Sequence, residues 1–373
     1  MGAKRVSALR LPPTLSANRG LIFGIATTIV FFTVGSSWLH DLASPWMAVG
    51  FLAWLVMAIL GSAFSVVRHA DFLAHRLGEP YGTLVLTLSV TGMEVTMITS
   101  IMVTGPDNPT LARDTMFAVV MIVLGGLVGG ALLIGGLRHR LQEFNIEGAN
   151  AFLSLIVPLS VLGLVMPNFT TATRGATFST LEACAVAGVC VAAYGLFLAI
   201  QTMRHREFFA QEILPQAEHK SESAKLWPHV ALLLVSLVPV VLLAEQLATV
   251  LEFGIREMAM PHGVAGLVVA GLILAPEGLG GILAAARNQL QRSINLLLGS
   301  ALATISLTIP AVLMVGVLTH REVVLGLNLD DAVLLGIILS LCVMTFSRGR
   351  TTILQGAIHL LMFLIWLVLI VEA

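Results

Sequence analysis

Two glutamates stand inside long apolar runs: Glu94 follows VLTLSVTGM, and Glu277 follows GLVVAGLILAP. Holding a carboxylate at the centre of a hydrocarbon layer costs about 2.5–3.5 kcal/mol on insertion scales, so such residues mark function unless a partner explains them. Carboxylate oxygens bind hard cations, together with carbonyls and hydroxyls. The same oxygens also take protons, so metal and proton compete for one site. Thr87 and Thr91 precede Glu94, and Ser300 and Thr304 lie on the stretch after Glu277, so these four hydroxyls are candidate polar lining around Glu94 and Glu277 as cation and proton ligands. No group reads as catalytic. The chain has no G-x-S-x-G nucleophile elbow, no H-E-x-x-H zinc motif and no G-x-x-x-x-G-K-[ST] phosphate loop, which argues against an intramembrane hydrolase and against nucleotide as the energy source. A passive channel is conceivable and would conduct without a proton gradient, but two buried carboxylates in an inverted repeat favour a carrier.

The elements that must position these residues are membrane helices. Of 373 residues, 57% are hydrophobic and 11% charged, far too few charges to clothe a soluble surface of this size. A net charge of -1 leaves no basic face for nucleic acid. Cys184, Cys190 and Cys342 lie in apolar runs without C-x-x-C spacing and read as small core residues. Stretches of about 20 apolar residues, the length that crosses a ~30 Å core as helix, fall near 20–38, 45–67, 80–104, 114–137, 149–167, 178–201, 228–250, 261–283, 293–318, 329–347 and 351–371. The polar segment Met1 to Gly20 is too long for the n-region of a signal peptide, and the first run is expected to remain as a helix.

With eleven spans and a cytoplasmic N-terminus, Arg113, Arg174, Arg256 and Arg321 fall outside and the other 16 of the 20 Lys and Arg residues inside, as the positive-inside rule requires. The C-terminus is then outside. The organisation expected is an N-terminus with a first helix over 1–40, a five-helix unit over 45–203, a cytoplasmic linker over 204–228 and a second five-helix unit over 229–373.

The two units align. Setting Glu94 on Glu277 places Glu79-PYGTLVLTLSVTGM-Glu94 beside His262-GVAGLVVAGLILAP-Glu277 without a gap, and Val120 to Gly136 beside Ile294 to Pro310, with Gly125 matching Gly299. Each glutamate lies on the second span of its unit. An odd number of spans forces the units into opposite orientations, the inverted repeat of alternating-access carriers. At 1.5 Å per residue, Glu94 lies roughly 21 Å from Pro80 and Glu277 roughly 24 Å from Pro261 at the opposite face, so the two can meet near the middle. Pro276 and Gly92 are expected to weaken their helices there, where carbonyls would turn toward an ion.

Other polar residues have plainer readings. Glu182 and Glu245 lie nearer span ends and suit headgroup contact. His359 is halfway along the last span, either a proton relay or a satisfied core histidine. His69, Asp71, His75 and Arg76 follow the second span; the H-x-D-x-x-x-H pattern lacks zinc-protease spacing and suits an interfacial helix. Gly125, Gly126, Gly129, Gly130 and Gly299 read as close-packing devices that also let the ion helices approach.

The runs GSAFSVVRHADFLAHRLGEPYGTLVLTLSV (Gly61 to Val90), MEV around Glu94, APEGLGG around Glu277 and NQLQRSINLLLGSALATISLTIP (Asn288 to Pro310) closely resemble bacterial ChaA-type calcium/proton antiporters of the cation/calcium exchanger superfamily. The resemblance covers nearly all of the chain after about residue 20 and implies an all-α membrane protein of eleven transmembrane helices, two inverted five-helix repeats preceded by one extra helix. It implies one acidic residue per repeat, here Glu94 and Glu277, and exchange of Ca2+, or of Na+ or K+, for H+ across a bacterial inner membrane, with export from the cytoplasm and no cofactor. The expected partners are small cations, protons and lipid, with a homo-oligomer left open. Where the wider superfamily has G-N-A-x-E, this chain has Val90-Thr-Gly-Met-Glu94 and Leu274-Ala-Pro-Glu277, so side-chain amide ligands are absent.

Overall fold

A computed structural model describes residues 18–35, 38–39, 44–77, 81–104, 108–204, 206–209 and 226–372. The helices are α1 Arg19–Val30, continuing as a π-helical turn to Gly35, α2 Pro45–Leu77, α3 Tyr81–Thr104, α4 Leu111–His139, α5 Ile146–Leu164 and α6 Thr180–Ala199. They are followed by α7 Leu226–Glu257, α8 His262–Ala286, α9 Leu290–Thr319, α10 Leu329–Phe346 and α11 Ile353–Glu372. Among the described residues nine helices are long and apolar enough to cross a membrane; Arg19–Gly35 and Leu88–Val103 are shorter apolar helices, at the places of the first and third expected spans. Their outward faces carry large apolar side chains, such as Phe23, Ile29 and Phe32 on α1 and Leu361, Ile365 and Val368 on α11. In water such faces would be a large penalty; in lipid they are the solvated surface. The protein is a multi-pass membrane protein. The expected linker lies mostly outside the described residues.

Of the nine long apolar helices among the described residues, α4 and α9 are the most buried, and each is interrupted by a π-helical stretch, Met121–Leu127 in α4 and Thr304–Thr308 in α9. Such stretches are rare and concentrate at functional sites. The expected weakening at Pro276 and Gly92 does not appear as a break: α8 runs through Pro276 and α3 through Gly92 as α-helix, and irregular backbone lies instead in α4 and α9. A proline deletes one N–H bond of a helix, and the packing around α8 is enough to carry it across that gap.

The core has two parts. One gathers around α4, α5, α6, α9, α10 and α11, the other around α1, α2 and α7. α3 and α8 belong to both: Ile98, Ala270 and Leu274 pack in the first body, and Met93, Met97, Val269 and Leu272 in the second. The two glutamates therefore sit on helices that lie along the seam.

Hydrogen bonds sort the loops into two ends. At one end, Val324 N bonds Pro109 O, Gly326 N bonds Ala176 O, and Leu327 N bonds Leu164 O. At the other, Asn145 N bonds Gln291 Oε1, Asn295 Nδ2 bonds Phe209 O, and a two-stranded ribbon pairs Gln142–Glu143 antiparallel with Arg350–Thr351. Glycine permits the closest helix crossings. A Cβ at Gly266 of α8 would lie 2.7 Å from the Asp114 carbonyl carbon in α4, and one at Gly356 of α11 would lie 2.4 Å from Leu133 N. The glycines expected to bring the ion helices together act elsewhere: Gly125, Gly126 and Gly129 seat α11 through Phe363, His359 and Leu360. Beside Glu277 that role falls to Gly278, whose Cβ would meet the Leu127 side chain at 2.7 Å.

Candidate functional site

Glu94 is 2% exposed, and both of its carboxylate oxygens are engaged from across the seam. Thr304 Oγ1 donates to Oε2 at 2.7 Å and Thr308 Oγ1 donates to Oε1 at 3.0 Å. Both threonines belong to the π-helical stretch of α9. Glu277, also buried, accepts from Ser300 Oγ on the preceding turn of the same helix. Ser300, Thr304 and Thr308 recur every four residues, so they form a ladder on one face with rungs about 6 Å apart at helical rise. Two carboxylates from different halves of the chain thus meet one helix a turn apart. A hydrogen bond to a charged group is worth about 1.5–3 kcal/mol, so two of them offset the insertion cost of an ionised Glu94.

This arrangement is built for oxygen chemistry. Side chains supply two carboxylates and three hydroxyls, and a hydroxyl that donates to a carboxylate still has lone pairs to offer a cation. A calcium ion takes six to eight oxygens, the remainder from carbonyls or water. Among the described residues there is no group of three or more His, Cys, Asp or Glu that could hold a metal ion.

Thr304 and Ser300 reach the carboxylates directly. Thr91 is buried on α3, one turn before Glu94. The side chain of Thr87 lies outside the described residues. Thr308 was not among the residues singled out from the sequence; its signal was the four-residue spacing from Ser300 through Thr304.

The remaining candidates lie on helices other than α3, α8 and α9. His359 is fully buried, its Nδ1 2.6 Å from Leu124 O in the π-helical stretch of α4 and its Nε2 3.0 Å from Thr345 Oγ1. With Nδ1 donating to the carbonyl and Nε2 accepting from the hydroxyl, the ring is a satisfied core histidine. Glu182 closes a capping box on α6 with Ser179. Glu245 is half-buried along α7. His69, Asp71 and Arg76 continue α2 rather than starting a separate interfacial helix, and His75's side chain lies outside the described residues. Cys184 is exposed and Cys190 and Cys342 are buried, all three free.

A family model described as sodium/calcium exchanger protein matches residues 47–203 and again 228–371. The sodium-potassium/proton antiporter ChaA of Escherichia coli (strain K12) is 43% identical over 364 residues, 96% of this chain and 97% of that protein. The putative ionic transporter y4hA of Sinorhizobium fredii (strain NBRC 101917 / NGR234) is 42% identical over 315 residues, covering 83% and 86%. Among solved structures, the selenium-substituted Ca2+/H+ antiporter protein YfkE superposes with a TM-score of 0.74 at 18% identity, over 95% of this chain and 100% of that one. At that identity the likeness shows the fold alone.

Proposed function

The chain belongs to the sodium/calcium exchanger protein family, and from that premise we propose that it is a cation/proton antiporter exchanging Ca2+ for H+ at Glu94 and Glu277. It is an ion transporter rather than an enzyme. One observation carries the reading: two buried carboxylates, one from each half, hydrogen-bond to hydroxyls a turn apart on α9. Two negative charges balance one divalent cation or two protons, so cation and protons displace each other from the same oxygens, and the proton gradient supplies the driving force. Ser300, Thr304 and Thr308 line the site, each donating to a carboxylate while its lone pairs face the ion, with Thr91 one turn from Glu94 on α3 and Thr87 a further turn away along the same helix.

Exchange requires that the site open to one side at a time. An inverted repeat of two five-helix units over 45–203 and 229–373, preceded by α1, supplies this by symmetry. The double match of one family model to 47–203 and 228–371 supports that layout. So does the sorting of loops to two ends, which suits eleven crossings with the N-terminus cytoplasmic and the C-terminus outside a bacterial inner membrane.

A second reading is exchange of Na+ or K+ for H+. It is favoured by the 43% identical Escherichia coli relative, a sodium-potassium/proton antiporter. Everted membrane vesicles from cells lacking their own antiporters separate the two. A respiration-driven acid interior should collapse on adding calcium, and Glu94→Gln and Glu277→Gln should each abolish the response. If sodium or potassium alone acts, the carboxylate mechanism stands and calcium falls; if the variants respond as the wild type does, the mechanism falls.

A further inference from the structure

α2 and α7, the first helices of the two units, are 33 and 32 residues long. At 1.5 Å per residue each reaches about 50 Å, well beyond a ~30 Å hydrocarbon core. They pack against each other, with the Ser65 and Ser236 hydroxyls 3.1 Å apart in the buried interface. At the end where α2 finishes and α7 begins, His69 Nδ1 lies 3.1 Å from His229 Nδ1. His69 is 4% exposed, and the His229 ring stacks on Phe72 with centroids 3.6 Å apart and planes at 14°. The proposed exchange mechanism does not use this pair.

The surrounding bonds assign its protons. Asn18 Oδ1 accepts from Arg68 at 2.8 Å and lies 3.3 Å from His69 Nε2. Oδ1 has no hydrogen to give, so His69 carries its hydrogen on Nε2 and presents a bare Nδ1. His229 Nδ1–H must then donate to it. Among the described residues, the groups that face the rings are Arg68 of α2, which acts electrostatically on both, neutral Asn18 before α1, and the partner ring itself.

We propose that His69 and His229 form a proton-sensitive lock joining the ends of α2 and α7. A first added proton goes to His229 Nε2 and leaves the Nδ1 contact intact. A second has only His69 Nδ1, where it sets two N–H groups face to face and a second positive ring beside Arg68. No hydrogen bond between the two rings survives that state, and like charges repel across a few ångströms. The lock is closed in neutral or alkaline medium and open in acid. Opening it frees the two long helices to separate at this end.

Electron–electron distance measurement on the full chain in lipid nanodiscs tests the lock without any transport assay, so its outcome is independent of the antiport reading. Spin labels are placed through Leu77→Cys and Leu226→Cys, both exposed at the ends of α2 and α7, in a background of Cys184→Ala, Cys190→Ala and Cys342→Ala. Spectra are taken at roughly pH 8 and roughly pH 3, the lower value set well below the ordinary imidazole value of about 6.5 because burial, Arg68 and the first protonated ring all oppose the second proton. The lock predicts one short distance at the higher pH and a second population, several ångströms longer, at the lower. With His69→Gln, or with His229→Gln, the distribution should no longer change with pH. Superposable distributions at both pH values with native histidines would overturn the proposal. So would the same acid shift in both glutamine variants.

Discussion

Replacing Thr308 with valine tests the hydroxyl ladder most directly, because the side chain keeps its shape and loses one donor. Thr308 Oγ1 is bonded to Glu94 Oε1 at 3.0 Å. A hydrogen bond to an ionised carboxylate is worth about 1.5–3 kcal/mol and one to a neutral carboxyl about 0.5–1.5 kcal/mol. A bound cation requires Glu94 ionised and a proton requires it neutral, so Thr308→Val penalises the cation-bound form by roughly 1–1.5 kcal/mol more. At 1.4 kcal/mol per factor of ten, the half-saturating cation concentration should rise roughly five- to tenfold at fixed pH. Thr304→Val should act in the same direction through Oε2. The two changes touch one carboxylate, so the double variant should depart from the product of the single effects. Thr308→Ser retains the oxygen and should stay close to wild type. The assay is the cation dependence of the collapse of an acid interior in everted vesicles, with protein amounts matched by immunoblot. A Thr308→Val curve that overlays the wild-type curve would refute the claim that this hydroxyl serves the ion site.

Other expectations follow from the same contacts. Glu94→Gln and Glu277→Gln should each abolish exchange yet extract from the membrane as well-behaved protein, since a neutral amide in place of the carboxylate removes an insertion cost; loss of folded protein would count against an ion-binding role. Gly266→Val should destabilise by about 1–3 kcal/mol, because its side chain would be driven into the Asp114 backbone 2.7 Å away, whereas Gly188→Ala has nothing within 4 Å and should be neutral or better. Equal thermal midpoints for those two variants in detergent would contradict the α4–α8 contact. His359→Phe should lower the thermal midpoint, as Leu124 O and Thr345 Oγ1 lose their partner in a buried site, while leaving the half-saturating cation concentration unchanged. A shift in cation dependence there would return His359 to the transport pathway.

Much of this protein could be read without coordinates, because lipid imposes rules that act on the chain locally. Apolar runs about 20 residues long must be helices, since no other conformation satisfies their backbone in hydrocarbon. A glutamate inside such a run is costly wherever the helix goes, so Glu94 and Glu277 stood out, and their shared place in two alignable units paired them. Ser300 and Thr304 were within reach by the same local argument. The end of α2 was harder: the polar residues after Val67 looked like a new element, yet the helix continues to Leu77, because helix α7 packs beside it and covers His69.

What the sequence left undecided depends on which faces meet. The four-residue spacing puts Thr308 in line with Ser300 and Thr304, but the π-helical stretch that presents it to Glu94 and the contact itself follow from how α9 crosses α3. The same holds for Gly266 against Asp114, and for His69 meeting His229 across 160 positions of chain. Sequence patterns report the solvent of a residue's own helix, lipid or protein. Partners across a seam are set by helix positions and crossing angles, which are properties of the packed whole and come into being only when the two halves meet.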